Sequence, residues 1–191
     1  TKRRLNLFIM CKANLQNRYY MTLDELMKKL SSGDESAFEQ FYSQTRKTVY
    51  YIALSVVKER ALAEDVMQNA YLCVLKNSAQ YRSGTNPLAW LARINRNEAL
   101  KVRHNRARVS YMDEKQNLHV FGTQQTDDYK LLIDCAKKLL DEDEFVILML
   151  ITASGYKRWE IAEILDMPTS TVTWKFTQAV KKLRDALNEN V

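Results

Sequence analysis

Apolar positions recur along this chain mainly three or four residues apart, which is the spacing of amphipathic helices. Within residues 157–183, Trp159, Ile161 and Leu165 are assigned to the inward side of a first helix. The segment 166–168 then interrupts the pattern, because proline is unsuited to a helix interior but suits the start of a helix. The spacing therefore predicts two helices joined by a tight turn.

The second of these helices has an apolar stripe and a polar face. The stripe consists of Val172, Phe176, Ala179, Val180 and Leu183. The opposite face carries hydroxyls, an amide, a tryptophan and lysines, namely Ser170, Thr173, Trp174, Lys175, Thr177, Gln178 and Lys181. Such a helix can enter a DNA groove, where lysine suits phosphate and glutamine suits adenine. An ordinary surface helical hairpin also explains the spacing.

Six more helices are predicted, over 22–30, 36–57, 62–76, 87–108, 128–140 and 141–153. Residues 109–128 lack sustained periodicity and predict a linker, while 1–20 are read as a basic N-terminal extension or tag. With only four glycines and two prolines, we expect an all-α fold. It comprises two small helical domains, 21–108 and 129–191, joined by a flexible linker, and the C-terminal one is a helix-turn-helix.

The net charge of +6 is unevenly distributed. Residues 81–112 contain seven Lys or Arg and one acid, Glu98, whereas 129–191 contain nine basic and ten acidic side chains. A concentrated basic field indicates a polyanionic partner. No apolar run approaches the roughly 20 residues that span a bilayer, so we expect no membrane insertion and a cytoplasmic protein.

Sites for other chemistry are not indicated. Cys11, Cys73 and Cys135 are far apart and lack nearby histidines, so reduced thiols are expected and no disulfide or metal site. His104 and His119 have no evident nucleophile partner, and the chain has no Gly-rich phosphate loop. We therefore expect no enzyme activity and no cofactor.

Two features of the first half suggest contacts with nucleic acid or protein. The loop before the fourth helix offers aromatic, basic and hydrogen-bonding groups that can hold an unstacked base: Tyr81, Arg82, Ser83, Thr85 and Asn86. The fourth helix continues with Arg93, Arg96, Arg103 and Arg106, which suit phosphate. A solvated basic helix is the alternative. The second feature is the segment 63–75, in which Asp65, Gln68 and Asn69 form a polar edge and Leu72 is assigned to the inward side. By itself this segment indicates only an amphipathic helix.

Taken in order, these features resemble a bacterial sigma factor of the extracytoplasmic-function type, in the sigma-70 family. The resemblance covers about 22–189. Residues 37–75 resemble the first conserved domain, with Asp65 to Gln68 as its Asp-x-x-Gln core. The promoter-reading helix of the family's first domain is similar to the segment NPLAWLARINRNEALKVRHNRAR of this chain. The helix-turn-helix of the family's second domain is similar to the segment WEIAEILDMPTSTVTWKF.

The resemblance implies three sets of contacts and a non-catalytic role in promoter selection and melting. The set facing the beta-prime clamp helices of RNA polymerase core is Asp65, Gln68, Asn69 and Leu72. The set at the minus-ten element is the base-capturing loop 81–86, with Arg93, Arg96 and Arg103 along the separated strand. The set over the minus-thirty-five element is Ser170, Thr171, Thr173, Trp174, Thr177 and Gln178. An anti-sigma partner is also implied.

Some positions depart from the family pattern. Asn69 stands where an acid is usual, and Thr173, Gln178 and Val180 stand where basic residues are common. We therefore expect weak or unusual minus-thirty-five binding, with most DNA affinity from 81–112. The alternatives are a helix-turn-helix regulator that binds duplex DNA without polymerase, and a protein-interaction module that has lost its DNA functions.

Overall fold

The computed structural model describes the backbone of residues 21–109 and 127–188, and the side chains of 21–106 and 133–186. Within these ranges the chain is helical and contains no β-strand. Its α-helices are α1 (Leu23–Ser31), α2 (Ala37–Val57), α3 (Arg60–Asn77), α4 (Pro87–Val109), α5 (Asp127–Leu139), α6 (Glu142–Thr152), α7 (Arg158–Leu165) and α8 (Thr169–Asn188). A 3-10 turn, Ser78–Gln80, follows α3. The all-α prediction is confirmed.

Local sequence explains where several helices begin and end. Thr22 and Glu25 form a capping box at α1, and Asp141 and Glu144 form another at α6. The turn between α7 and α8 places Asp166 in the left-handed region, at φ 52°. Aspartate enters this region more readily than most non-glycine residues, so Asp166 can close the turn.

The first half has its own core. α1, α2, α3 and α4 bury Leu26, Phe41, Val74 and Leu91 completely or nearly so. The Tyr71 hydroxyl lies 2.6 Å from Thr45 Oγ1 inside this core. Burial raises the pKa of Tyr71, so the phenol stays protonated.

The two halves pack against each other. Ile52 of α2 and Leu88 of α4 are buried in one apolar cluster with Ile147 of α6 and Ile161 of α7. A polar contact also crosses this seam, where Asn86 Nδ2 donates to Glu163 Oε2 at 3.4 Å. The described residues therefore form a single packed arrangement.

The predicted linker and extension lie largely beyond what the structure describes. Val109 ends α4 and Asp127 begins α5, while residues 110–126 and 1–20 lie outside the described residues. No helix within the described ranges combines the length and apolar character that crossing a membrane requires.

Three apolar side chains assigned inward are exposed instead. Trp159 is 51% exposed, Leu72 53% and Val180 43%. Trp159 precedes the buried Ile161 by two residues, and Leu72 follows the buried Ala70 by two. Two residues correspond to about 200° around an α-helix, so each side chain lies on the face opposite its buried neighbour. The inward assignment of these residues was wrong.

Candidate nucleic-acid interface

The loop 81–86 connects the 3-10 turn to α4 and is held from α1. The Tyr81 hydroxyl lies 2.7 Å from Asp24 Oδ1 and 2.8 Å from the Thr85 carbonyl oxygen, and shares its hydrogen between them. The Gly84 amide donates to the same Asp24 oxygen at 2.9 Å. Gly84 has φ +84°, a conformation that favours glycine.

The predicted base-capturing residues divide into supports and exposed groups. Tyr81 is only 9% exposed, and its ring packs 5.8 Å from that of the half-buried Trp90. Asn86 Oδ1 accepts from the amides of Leu88 and Ala89 at 3.0 and 3.1 Å, which caps α4. The side chains that face solvent are Arg82, Ser83 and Thr85.

An open cavity of about 590 Å³ lies between this loop, α4 and α7. Its α4 wall includes Trp90, Arg93 and Arg96, while α7 contributes Glu163 and, just after it, Asp166. One wall is therefore aromatic and basic and the other acidic. Stacking, phosphate and hydrogen-bonding groups occur together on the α4 wall, as nucleotide binding requires.

Three of the four predicted phosphate-binding arginines of α4 are paired with carboxylates. Arg96 lies 3.4 Å from Asp143 and 3.7 Å from Glu142. Arg103 forms an ion pair with Glu142 as well, and Arg106 pairs with Glu59. Arg93 is exposed and has no ion pair among the described residues.

The acidic start of α6 also binds lysines of α8. Lys175 Nζ lies 3.1 Å from Asp143 and 3.4 Å from Asp141, and Lys182 Nζ lies 2.7 Å from Glu144. Burial disfavours the charged Lys175, but the two aspartates outweigh it and raise the pKa of the ammonium. A single acidic turn therefore neutralises cations of α4 and of α8.

The outer face of α8 combines exposed and internally bonded groups. Trp174 is 60% exposed, and Ser170, Thr177 and Lys181 are also exposed. The hydroxyls of Thr173 and Thr177 each donate at 2.9 Å to the carbonyl four residues earlier, in the helix itself. Thr171, Lys175 and Gln178 are half-buried.

The polar edge of α3 is fully available. Its predicted contact residues Asp65, Gln68, Asn69 and Leu72 are all exposed. Leu72 is 53% exposed and is one of the large apolar side chains at the surface. An exposed apolar side chain next to polar groups is typical of a protein contact.

Comparisons with known proteins support these features. Residues 41–109 match the family described as sigma-70 region 2, a span that includes the α3 edge, the loop and α4. The chain is 26% identical to the ECF RNA polymerase sigma factor SigK of Mycobacterium bovis (strain BCG / Pasteur 1173P2), covering 87% of this chain and 94% of that protein. It is 24% identical to SigK of Mycobacterium ulcerans, with the same coverage.

Residues 41–109 therefore resemble a sigma-70 region 2, and over most of its length the chain is similar to sigma factors of the extracytoplasmic-function type.

Two solved structures have the same fold. The sigma factor RpoE from Bartonella quintana, in complex with the anti-sigma factor NepR, superposes with a TM-score of 0.63 at 23% identity, over 79% of this chain and 96% of that chain. CnrH, in complex with the cytosolic domain of CnrY, gives 0.62 at 19% identity, over 88% and 98%.

Sequence reasoning missed two groups of acidic side chains around the basic helix α4. Asp24 gave no signal beyond an acid in the first turn of a helix. Glu142 and Asp143 lie in the first turn of α6, where acidic residues suit the helix dipole and suggest no further role. Their opposite sign to the arginines of α4 was visible in the sequence, but the pairing depends on how the two halves pack.

Proposed function

We propose that this chain is a sigma factor of the extracytoplasmic-function type, which directs bacterial RNA polymerase core to selected promoters and helps to separate the strands there without catalysing a reaction itself. One observation carries the proposal. The segment 41–109 that matches sigma-70 region 2 combines an exposed contact edge, an anchored loop with outward polar groups, and a helix rich in arginine.

Docking to the polymerase is assigned to the α3 edge. Leu72 supplies the apolar contact with the beta-prime clamp helices, and the surrounding Asp65, Gln68 and Asn69 supply polar ones. Because Asn69 lacks the charge usual in the family, we expect binding of the α3 edge to the clamp helices to depend strongly on Leu72. Buried apolar anchors commonly dominate such interfaces.

Strand separation is assigned to the loop and α4. Arg82, Ser83 and Thr85 are the groups that reach an unpaired base of the minus-ten element, while Tyr81 and Asn86 hold the loop and the helix start. Arg93, Arg96, Arg103 and Arg106 contact phosphates. Holding a base outside the stack offsets the few kcal/mol that unstacking requires.

The second half is assigned a smaller share of the DNA affinity. The face of α8 lies over the minus-thirty-five element, where Trp174 and Lys181 are large exposed groups. Two of its threonine hydroxyls already bond within the helix, and Lys175 is paired with aspartates. In this proposal 21–108 and 129–191 act as separate DNA-binding units, joined through 109–128, in the cytoplasm.

Promoter DNA has to replace the internal carboxylates. In the packed arrangement Glu142 and Asp143 form ion pairs with Arg96, and Glu142 also forms one with Arg103. Phosphates can bind these arginines only after the ion pairs open. We infer that an anti-sigma partner acts on this equilibrium, because a sigma factor of the same fold has been solved with an anti-sigma factor bound.

The test is to mix the purified chain with bacterial core polymerase, measure co-elution, and sequence the transcripts that the complex starts. We expect co-elution and a defined set of start sites. Leu72→Ser should weaken co-elution, whereas Leu139→Ser, at a residue 41% exposed outside residues 41–109, should not.

Each alternative predicts a different outcome. Tight binding of the chain alone to a duplex operator, with no co-elution, favours a regulator that acts without polymerase. Tight binding to another protein, with no preference for any nucleic acid, favours an interaction module.

A further inference from the structure

The carboxylate of Asp24 connects the first helix to the loop 81–86 across some sixty residues of sequence. One oxygen, Oδ1, receives the Gly84 amide at 2.9 Å and faces the Tyr81 hydroxyl at 2.7 Å. The other, Oδ2, lies 2.7 Å from Lys28 Nζ. We propose that Asp24 is a positioning residue that fixes this loop for recognition of an unpaired base. The inference rests on the proposed function.

Packing alone does not hold the tip of the loop. A Cβ at Gly84 would meet no atom within 4 Å, so this side of the tip faces open space. Within the loop, the Thr85 amide and hydroxyl bond to the Arg82 carbonyl oxygen at 3.2 and 2.8 Å. These bonds shape the turn but do not orient it relative to α4.

The orientation comes from α1. Asp24, in its first turn, holds Gly84, and the carbonyl of Leu30, near its last turn, accepts from Ser78 Oγ at 3.3 Å. The segment 78–84 is thus attached to α1 at both ends. Because α1 is buried through Leu26, Met27 and Leu30, these attachments connect the loop to the core.

Charge makes Asp24 a strong acceptor. Hydrogen bonds from Lys28, from the Gly84 amide and from Tyr81 lower the pKa of its carboxyl to about 2, so it is ionised at neutral pH. Burial, followed by the hydrogen bond with Asp24, raises the pKa of Tyr81 to about 12, so the phenol keeps its hydrogen. Bonds to an ionised acceptor are stronger than neutral ones.

The groups of the loop consequently face two different directions. Tyr81 and the Gly84 amide face Asp24, while Arg82, Ser83 and Thr85 face solvent. A recognition loop gains affinity and selectivity when its bound conformation is already present. Asp24 contributes in this way without touching the base.

The experiment uses the full chain bound to core polymerase and a labelled single strand carrying a minus-ten element. In a series of strands, one nucleotide at a time is replaced by an abasic one. The wild type identifies the captured position as the one where the base contributes most to affinity. For Asp24→Ala we expect about tenfold weaker binding to the intact strand, because charge-assisted hydrogen bonds are lost. Replacing the captured base by an abasic nucleotide should then weaken binding of this variant only slightly further.

Three matched variants separate positioning from stability. Asp24→Asn keeps an oxygen acceptor and should preserve the preference for the intact strand. Lys28→Ala breaks only the ion pair and should also preserve it. Tyr81→Phe leaves Asp24 and the Gly84 bond in place and should reduce the preference partially, which keeps the test valid if Asp24→Ala does not fold.

The inference is overturned if Asp24→Ala and Tyr81→Phe both keep the wild-type difference between intact and abasic strands. It is also overturned if they weaken both strands equally, since a loss of stability alone acts in that way. If the wild type binds polymerase but binds intact and abasic strands equally at every position, this inference is overturned and the proposed function stands. A wild type that does not bind polymerase removes the proposed function with it.

Discussion

The hydroxyl of Thr48, in the middle of α2, donates a 3.2 Å hydrogen bond to the hydroxyl of Tyr156, just before α7. Thr48 is 1% exposed. Burial raises the pKa of Tyr156, so its phenol remains neutral. The bond joins parts of the chain that are 108 residues apart. It gives the seam between the two halves a specific polar contact in addition to its apolar packing.

Tyr156→Phe should lower the free energy of unfolding by about 0.5–1.5 kcal/mol, the usual net value of one hydrogen bond. Urea unfolding measures the change. Tyr50→Phe is the matched control, because the Tyr50 hydroxyl, on the same helix as Thr48, makes no hydrogen bond among the described residues. Equal losses in the two variants would contradict a specific bond at the seam.

Glu142→Gln should strengthen binding to single-stranded minus-ten DNA by about threefold. The variant removes the carboxylate that pairs with Arg96 and Arg103, and exposed ion pairs are worth about 0.2–1 kcal/mol each. Fluorescence anisotropy measures the affinity. Glu98→Gln removes the same charge from a pair within α4, with Lys101. If Glu98→Gln increases the affinity for DNA as much as Glu142→Gln does, the change in net charge explains the effect, and release of Arg96 and Arg103 does not.

Asp24 should make stability depend on pH in acid. Its folded-state pKa of about 2 is below the unfolded value of about 3.9. An acid with a depressed pKa stabilises the fold above the unfolded value, and this contribution is lost as pH falls towards the folded value. Urea unfolding between pH 5 and pH 2 should therefore show a smaller decline for Asp24→Asn than for the wild type. Parallel declines would contradict the expectation.

Lys182→Met should destabilise the protein by about 1–3 kcal/mol, because Glu144 would lose its charged partner while remaining buried. Glu144 is 3% exposed, and both its oxygens lie 2.7 Å from Lys182. Thermal or urea unfolding measures the loss. The neighbouring Lys181 is exposed, so Lys181→Met should change stability by less than about 0.5 kcal/mol.

Trp174→Ala should reduce binding of the polymerase complex to duplex minus-thirty-five DNA, with a change in stability below about 0.5 kcal/mol. The side chain is 60% exposed on the outer face of α8. Trp159, 51% exposed on α7, is the matched tryptophan outside the predicted face, and Trp159→Ala should leave duplex binding unchanged. The reverse ranking would move the DNA contact from α8 to α7.

Helix positions were largely predictable from the sequence because local signals determine them. The start of α4 at Pro87 and the break before Pro168 follow from proline chemistry. Side-chain exposure was less predictable. Trp159 and Ile161 lie on opposite faces of the eight-residue α7, and which face is buried depends on how α7 packs against the rest of the chain. The hydroxyl of the buried Tyr81 donates to Asp24, a distant residue that no local pattern connects to it.

The apolar seam itself has a thermodynamic consequence. Separating the halves would expose Ile52, Leu88 and Ile147 to water, at roughly 25 cal/mol for each Å² of apolar surface. The separated form is therefore a minor species of the free chain. A ligand that binds only this form has an apparent dissociation constant equal to the intrinsic one divided by the fraction present. Substitutions that loosen the seam, far from any DNA contact, should consequently tighten promoter binding while making the free protein less stable.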